Sequence, residues 1–222
     1  MTGIHLGYGG EILKAGNINS ESEEFPFRWF EQKNGTGKLA IVLPGAGYTT
    51  QAPLLRYSTQ LFYKEGFDVL HINYTLSKEE MAVLNEKEFA RKVEKSITKA
   101  IRGRNYSHYS VAAKSVGTLA LSQLLANLDM LKDAKLLWLT PLLQRDEVFQ
   151  AMVNRKNEGL CIIGENDRHC FIPERVETLR NQPNLSVKLV DGGNHSLEIE
   201  GDPIRSIGIL KEVISEIQQF VV

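Results

Sequence analysis

The sequence predicts an α/β fold: a mostly parallel central sheet with helices on both faces, and antiparallel strands at the N-terminus. Three observations carry this reading. From residue 38 to the end, short apolar runs alternate with amphipathic stretches. Several of the runs, among them KLAIVL at 38–43 and GLCIIG at 159–164, are continuously apolar, as strands covered on both faces are. The connections are short and leave no room for a second domain, so the 222 residues read as a single domain, 1–222.

Composition narrows the function classes. Hydrophobic content of 42% and charged content of 24% are those of an ordinary globular chain, and a net charge of −1 argues against nucleic acid or an anionic membrane as partner. The N-terminus has no basic segment leading into an apolar run, and no run is long enough to span a bilayer, so a cytoplasmic location is expected. The two cysteines, Cys161 and Cys170, form neither a disulfide framework nor a metal-ligand spacing. Cys161 reads as a buried apolar residue and Cys170 as partly exposed. No metal and no cofactor are expected.

In chain order, residues 4–6 and 11–13 read as short strands, and 20–24 as a polar connection. Residues 25–31 form an edge strand, because Pro26 cannot donate to a ladder. Strand 38–43 leads into PGAGYTT and then a helix built on Leu54, Leu55, Leu61 and Phe62, which Gly66 stops. Strand 67–73 follows. One long helix is expected over 78–102, because Phe89, Val93, Ile97 and Ile101 make a single stripe; Glu86, Lys87, Arg91, Lys92, Lys95 and Lys99 form its solvated face. Strand 109–113 then turns sharply into an apolar helix over 116–128. Strand 135–140 ends at Pro141, a helix covers 145–156, and strand 159–164 leads to a loop at 165–170. Pro173 opens a helix to residue 180. Strand 185–190 alternates, and after the loop 191–196 a last helix covers 203–220 with Ile207, Leu210, Ile214 and Ile217 inward.

In open α/β sheets, ligands bind beyond the carboxyl ends of the strands. Those ends deliver Gly45-Ala46-Gly47, Ser115, Asp167 and His195. Ser115 sits on a strand–turn–helix bend that demands a positive-φ backbone, with Ala113 and Gly117 small on either side. A serine there also serves as a plain helix cap. Asp167 and His195 tip the balance toward chemistry. A hydroxyl needs a base to take its proton, imidazole titrates near neutrality, and a carboxylate fixes the imidazole tautomer. The N–H of Val116, at a helix start, can donate to a developing oxyanion. Asp146 and Glu147, after the preceding strand, are the alternatives for the acid. His169 reads as a surface histidine and His71 as structural. Lys114-Ser115 lacks the upstream glycines of a phosphate loop.

Four motifs in this order resemble the α/β-hydrolase fold family from residue 38 onward. PGAG at 44–47 is similar to the oxyanion loop HGxG, AKSVG at 113–117 to GxSxG, GEND at 164–167 to GxxD, and GNHS at 193–196 to the histidine loop. The departures are Pro44 for His and Ala113 for Gly; neither removes a reacting group. The resemblance implies a Ser115–Asp167–His195 triad, with Ala46 N–H as second oxyanion donor beside Val116 and with Gly45, Gly47 and Tyr48 lining the pocket. It implies a serine esterase or thioesterase acting on a small-molecule acyl substrate through an acyl-enzyme. Residues 140–158 leave room for about one helix, so little or no lid is expected. A dienelactone-hydrolase-like or peptidase-like substrate stays open. So do a ligand receptor or regulatory protein of slow turnover, and a lyase on the same fold. A homodimer is compatible with the sequence but not indicated by it.

Overall fold

The computed structural model describes residues 22–222, so the strands expected at 4–6 and 11–13 lie outside the described residues. The elements are β1 (Phe27–Phe30), β2 (Lys38–Leu43), α1 (Pro53–Lys64), β3 (Asp68–Ile72), α2 (Lys78–Ala82), α3 (Glu86–Ala100), β4 (His108–Lys114), α4 (Val116–Asn127), β5 (Lys135–Leu139), α5 (Asp146–Asn154), β6 (Gly159–Gly164), α6 (Pro173–Arg180), β7 (Leu185–Val190) and α7 (Pro203–Val221).

The strands form one seven-stranded sheet in the order β1-β3-β2-β4-β5-β6-β7. β1, which follows Pro26, runs antiparallel to β3 at one edge, and every other pairing is parallel. The chain moves from β2 outward to β3, then returns to place β4 on the other side of β2. That reversal opens a crevice between the loops that leave β2 and β4, the position where parallel sheets bind ligands.

Both faces of the sheet are covered, and alternate residues serve them. Leu39, Ile41, Leu43, Val111 and Trp138 face α3, α4, α5 and α6. Ala40, Val42, Ala112, Leu137 and Leu139 face α1 and α7. This is why the strand runs are apolar without alternation. α4 is apolar all round because it packs between α3 and α5 as well as on the sheet.

Three expectations need correction. The helix expected over 78–102 is two helices. Ser77 and Glu80 form a reciprocal capping box at the start of α2, and the Asn85 side chain accepts from the Glu88 N–H to start α3 afresh. Lys92 does not belong to the solvated face; it is buried, with its ammonium 5.9 Å from the centroid of the Phe25 ring. On α7 the inward face is Ser206, Ile209, Val213, Ile217 and Val221, while Ile207 is exposed. Ser206 takes an inward position because its hydroxyl donates to the Asp202 carbonyl and accepts from the Ile199 N–H. Among the described residues no helix is long and apolar enough to cross a membrane.

Candidate active site

Ser115 lies between β4 and α4 with φ 52° and ψ −119°, a region that a non-glycine residue occupies at a cost of about 1–3 kcal/mol. Its N–H donates to the Leu139 carbonyl of β5, which anchors the bend to the neighbouring strand. The need for a small residue after the bend comes from the end of β2. A Cβ on Gly117 would stand 2.6 Å from the Leu43 carbonyl oxygen and 2.9 Å from that of Pro44. The end of β2 therefore crowds Gly117, whereas Ala113 pairs within the sheet with Leu43 and Trp138.

The loop after β2 is held from three directions. The buried Tyr74 hydroxyl donates to the Pro44 carbonyl at 2.7 Å, the Gly45 N–H donates to the Tyr48 carbonyl, and the Leu76 N–H donates to the Ala46 carbonyl. A Cβ on Gly45 would lie 3.2 Å from the Cβ of Tyr48 and 3.5 Å from that of Ser115, so the loop runs directly over the serine. Gly47 is exposed with open space around it, and nothing there requires close backbone approach. Val116 opens α4, where the first N–H groups have no intrahelical acceptor, so its N–H and the Gly45–Ala46 backbone flank Ser115.

Asp167 and His195 arrive on two loops stitched together. The Glu165 N–H donates to the Val190 carbonyl and the Asn166 N–H to the Gly193 carbonyl. A Cβ on Gly164 would lie 2.1 Å from the Gly193 oxygen, so only glycine lets the histidine loop close onto the end of β6. Within that loop, the Asn194 side-chain oxygen accepts from the N–H groups of Ser196 and Glu198. This local turn presents His195.

The result is a continuous chain. His195 Nδ1 is 2.6 Å from Asp167 Oδ2, and His195 Nε2 is 2.8 Å from Ser115 Oγ. With Nδ1 donating to the carboxylate, Nε2 is left to accept from the serine hydroxyl. Asp167 is fully buried, while the His195 side chain is 41% exposed, so the imidazole faces solvent over a dry carboxylate. Burial pushes the Asp167 carboxyl up. The hydrogen bond and charge of His195, with help from Cys170, outweigh burial and hold the group below its ordinary value. The other acids considered lie elsewhere: Asp146 pairs with Arg175 at the surface, and Glu147 sits in the first turn of α5. His169 is exposed.

Several neighbours were not legible in the sequence. Cys170, expected to be partly exposed, is buried, and its N–H contacts Asp167 Oδ1. Burial first, then the Asp167 charge, pushes its thiol up to about 12. Its sulfur lies with ligand atoms of Asp167 and His195 inside 4.8 Å, but Asp167 and His195 are already bonded to each other. Lys114 is buried beneath the site, donating to the Thr140 hydroxyl and the His195 carbonyl. Tyr48, whose ring lies 4.7 Å from the Lys114 ammonium, also lines an apolar cavity of about 570 Å³ with Leu54, Leu197, Ile199 and Leu210. That cavity opens beside the histidine loop, and Ser115 does not line it.

No family model and no curated protein matches the sequence. Solved structures do. Est1E from Butyrivibrio proteoclasticus, in a structure with ferulic acid bound, superposes with a TM-score of 0.66 at 13% identity, covering 88% of this chain and 93% of that one. XC6422 from Xanthomonas campestris, described as an α/β serine hydrolase without lid, gives 0.62 at 13% identity, over 89% and 88%. The dienelactone hydrolase of Anabaena variabilis gives 0.59 at 17% identity, over 87% and 89%. The sheet order, the switch point between β2 and β4 and these superpositions agree: the chain has the α/β-hydrolase fold.

Proposed function

We propose that this protein is a serine hydrolase that cleaves a small or medium ester or thioester through an acyl-enzyme. The observation that carries the proposal is the unbroken hydrogen-bond chain from Ser115 through His195 to the buried Asp167, mounted on a strained bend. In the first step the Ser115 oxygen attacks the acyl carbon while its proton passes to His195 Nε2. The substrate oxygen takes the negative charge and accepts from the N–H groups of Val116 and Ala46; one such donor is worth on the order of 10²- to 10³-fold in rate. Asp167, held ionised, stabilises the imidazolium that forms. The imidazolium then gives its proton to the departing alkoxide or thiolate, leaving the acyl group on Ser115. Water, deprotonated by His195, attacks the acyl-serine, and the serine regains its proton as the acid leaves.

The half-exposed base and the single short helix between β5 and β6 favour an open site. Among the structural neighbours, one holds ferulic acid, a carboxylic acid, and another is named a serine hydrolase without lid; both lend support to acyl chemistry at such a site. The test is a fluorophosphonate probe applied to the wild type and to Ser115→Ala, followed by a panel of acyl esters and thioesters. Labelling and turnover are expected in the wild type alone. An unlabelled wild type would count against an activated serine, and labelling with no turnover on any substrate would favour a ligand receptor.

A further inference from the structure

Lys114, the residue before the serine, has no part in the chemistry just described, yet it is the most unusual buried group near it. Its side chain is 1% exposed. Its ammonium donates to the Thr140 hydroxyl at 2.7 Å and to the His195 main-chain carbonyl at 2.8 Å. It therefore ties together three separate segments: the end of β4, which carries the serine, the end of β5, and the loop that carries the base. Thr140 is held at φ 42°, an unfavourable angle for a β-branched residue, and Leu197 at φ 61°. With Ser115 these are the only non-glycine residues of positive φ among the described residues. All three lie on the segments that Lys114 joins, where stored strain is typical of functional sites.

The alternative is a lysine that is merely accommodated. Burying an ammonium is costly unless it is paired and bonded, and a methionine of similar length would avoid the cost. The groups facing Lys114 are Asp167 and Cys170 from the loop after β6, Glu198 from the histidine loop, Thr140 from the end of β5, and the Tyr48 ring from the loop after β2. Burial lowers its pKa to about 8, and the charges of Asp167 and Glu198 oppose that fall, so the ammonium persists at neutral pH.

We propose that Lys114 is a positioning residue: by holding the His195 carbonyl and the Thr140 hydroxyl, it fixes the loop that sets His195 Nε2 against Ser115 Oγ. This deepens the hydrolase reading and rests on it. The hydrogen bonds of Lys114 go to Thr140 and to the His195 main chain and not to the reacting atoms, so its effect must pass through His195.

The experiment is a double-mutant cycle on full-length protein, read by the fluorophosphonate labelling rate and by ester turnover. Lys114→Met keeps the stem and removes the donors. It is expected to lower kcat by about 10- to 100-fold, the scale of a small misplacement of a catalytic group, with KM little changed. In a His195→Ala background the same substitution is expected to cost nothing further, whereas a general structural defect would cost as much there as in the wild type. Should Lys114→Met fail to fold, Thr140→Val removes one of the two anchors. Its expected loss is several-fold in kcat, again absent in the His195→Ala background. Wild-type labelling with Lys114→Met equally fast, or a loss that persists without His195, overturns the positioning role and leaves the hydrolase reading standing. A wild type that neither labels nor turns over any ester overturns both.

Discussion

At the scale of single residues, the groups proposed to react stand out in the sequence and the side chains around them do not. Ser115, Asp167 and His195 each follow an apolar strand in the sequence, so position and chemistry coincide. Nothing in the sequence marks Lys114 or Tyr74 as buried, because a lysine at a strand end and a tyrosine in a loop are ordinarily solvated at their tips. Their burial depends on which loops close over them. His71 was read as structural, and it carries a measurable consequence. It is buried on β3, with Nε2 2.7 Å from the Thr59 hydroxyl and Nδ1 unpartnered. Burial, aided by the Arg28 charge, lowers its pKa to about 3. The unfolded chain binds this proton below about pH 6.5 and the folded one does not until about 3, so stability falls as pH drops through that window. The expected slope from this group is about 1.4 kcal/mol per pH unit. Urea unfolding at pH 7 and pH 5 should show a loss on the order of 2 kcal/mol in the wild type that His71→Leu largely removes. An identical pH dependence in the two proteins would refute it.

At the scale of elements, apolar runs located every strand from residue 27 onward, but periodicity misread two helices. The break between α2 and α3 was written in the sequence as Ser77-x-x-Glu80 and Asn85-x-x-Glu88, two helix-start signals eight residues apart. The apolar stripe of α3 masked them. On α7 the count of apolar residues favoured Ile207, whereas hydrogen bonds placed Ser206 inward; a pattern based on hydrophobicity has no access to that choice. The contact between the end of β6 and the histidine loop lives at this scale too. Gly164→Ala would drive a methyl into the Gly193 backbone, since a Cβ there lies 2.1 Å from the Gly193 oxygen. Overpacking of this kind costs about 1–3 kcal/mol. The loop must shift, and turnover should fall by about 100-fold while far-UV circular dichroism stays unchanged. Gly208→Ala, on the exposed side of α7 with open space around it, is the control and should keep full activity. Equal activity in the two variants would contradict the account of the loop.

At the scale of the whole molecule, the site is a product of strand order. β2 and β4 are neighbours although α1, β3, α2 and α3 lie between them in the chain, and their diverging loops bring the Gly45–Ala46 backbone over Ser115. β6 and β7 are adjacent, which lets Asp167 and His195 meet across stitched loops. This convergence was legible because parallel strands put all their carboxyl ends on one edge, so chain order alone predicted the gathering. The substrate was not legible, because specificity is set by the shape of the open cleft around the loops and not by the motifs that form them.

If the proposed acyl-enzyme forms, Ser115 becomes acylated, and rapid-quench mass spectrometry detects it. Mixed with a short-chain 4-nitrophenyl ester and quenched in acid, the protein should gain one acyl group per chain, on the peptide that contains Ser115, and Ser115→Ala should gain none. Steady turnover by Ser115→Ala at the wild-type rate, or an acyl group mapped to another residue, would contradict the account.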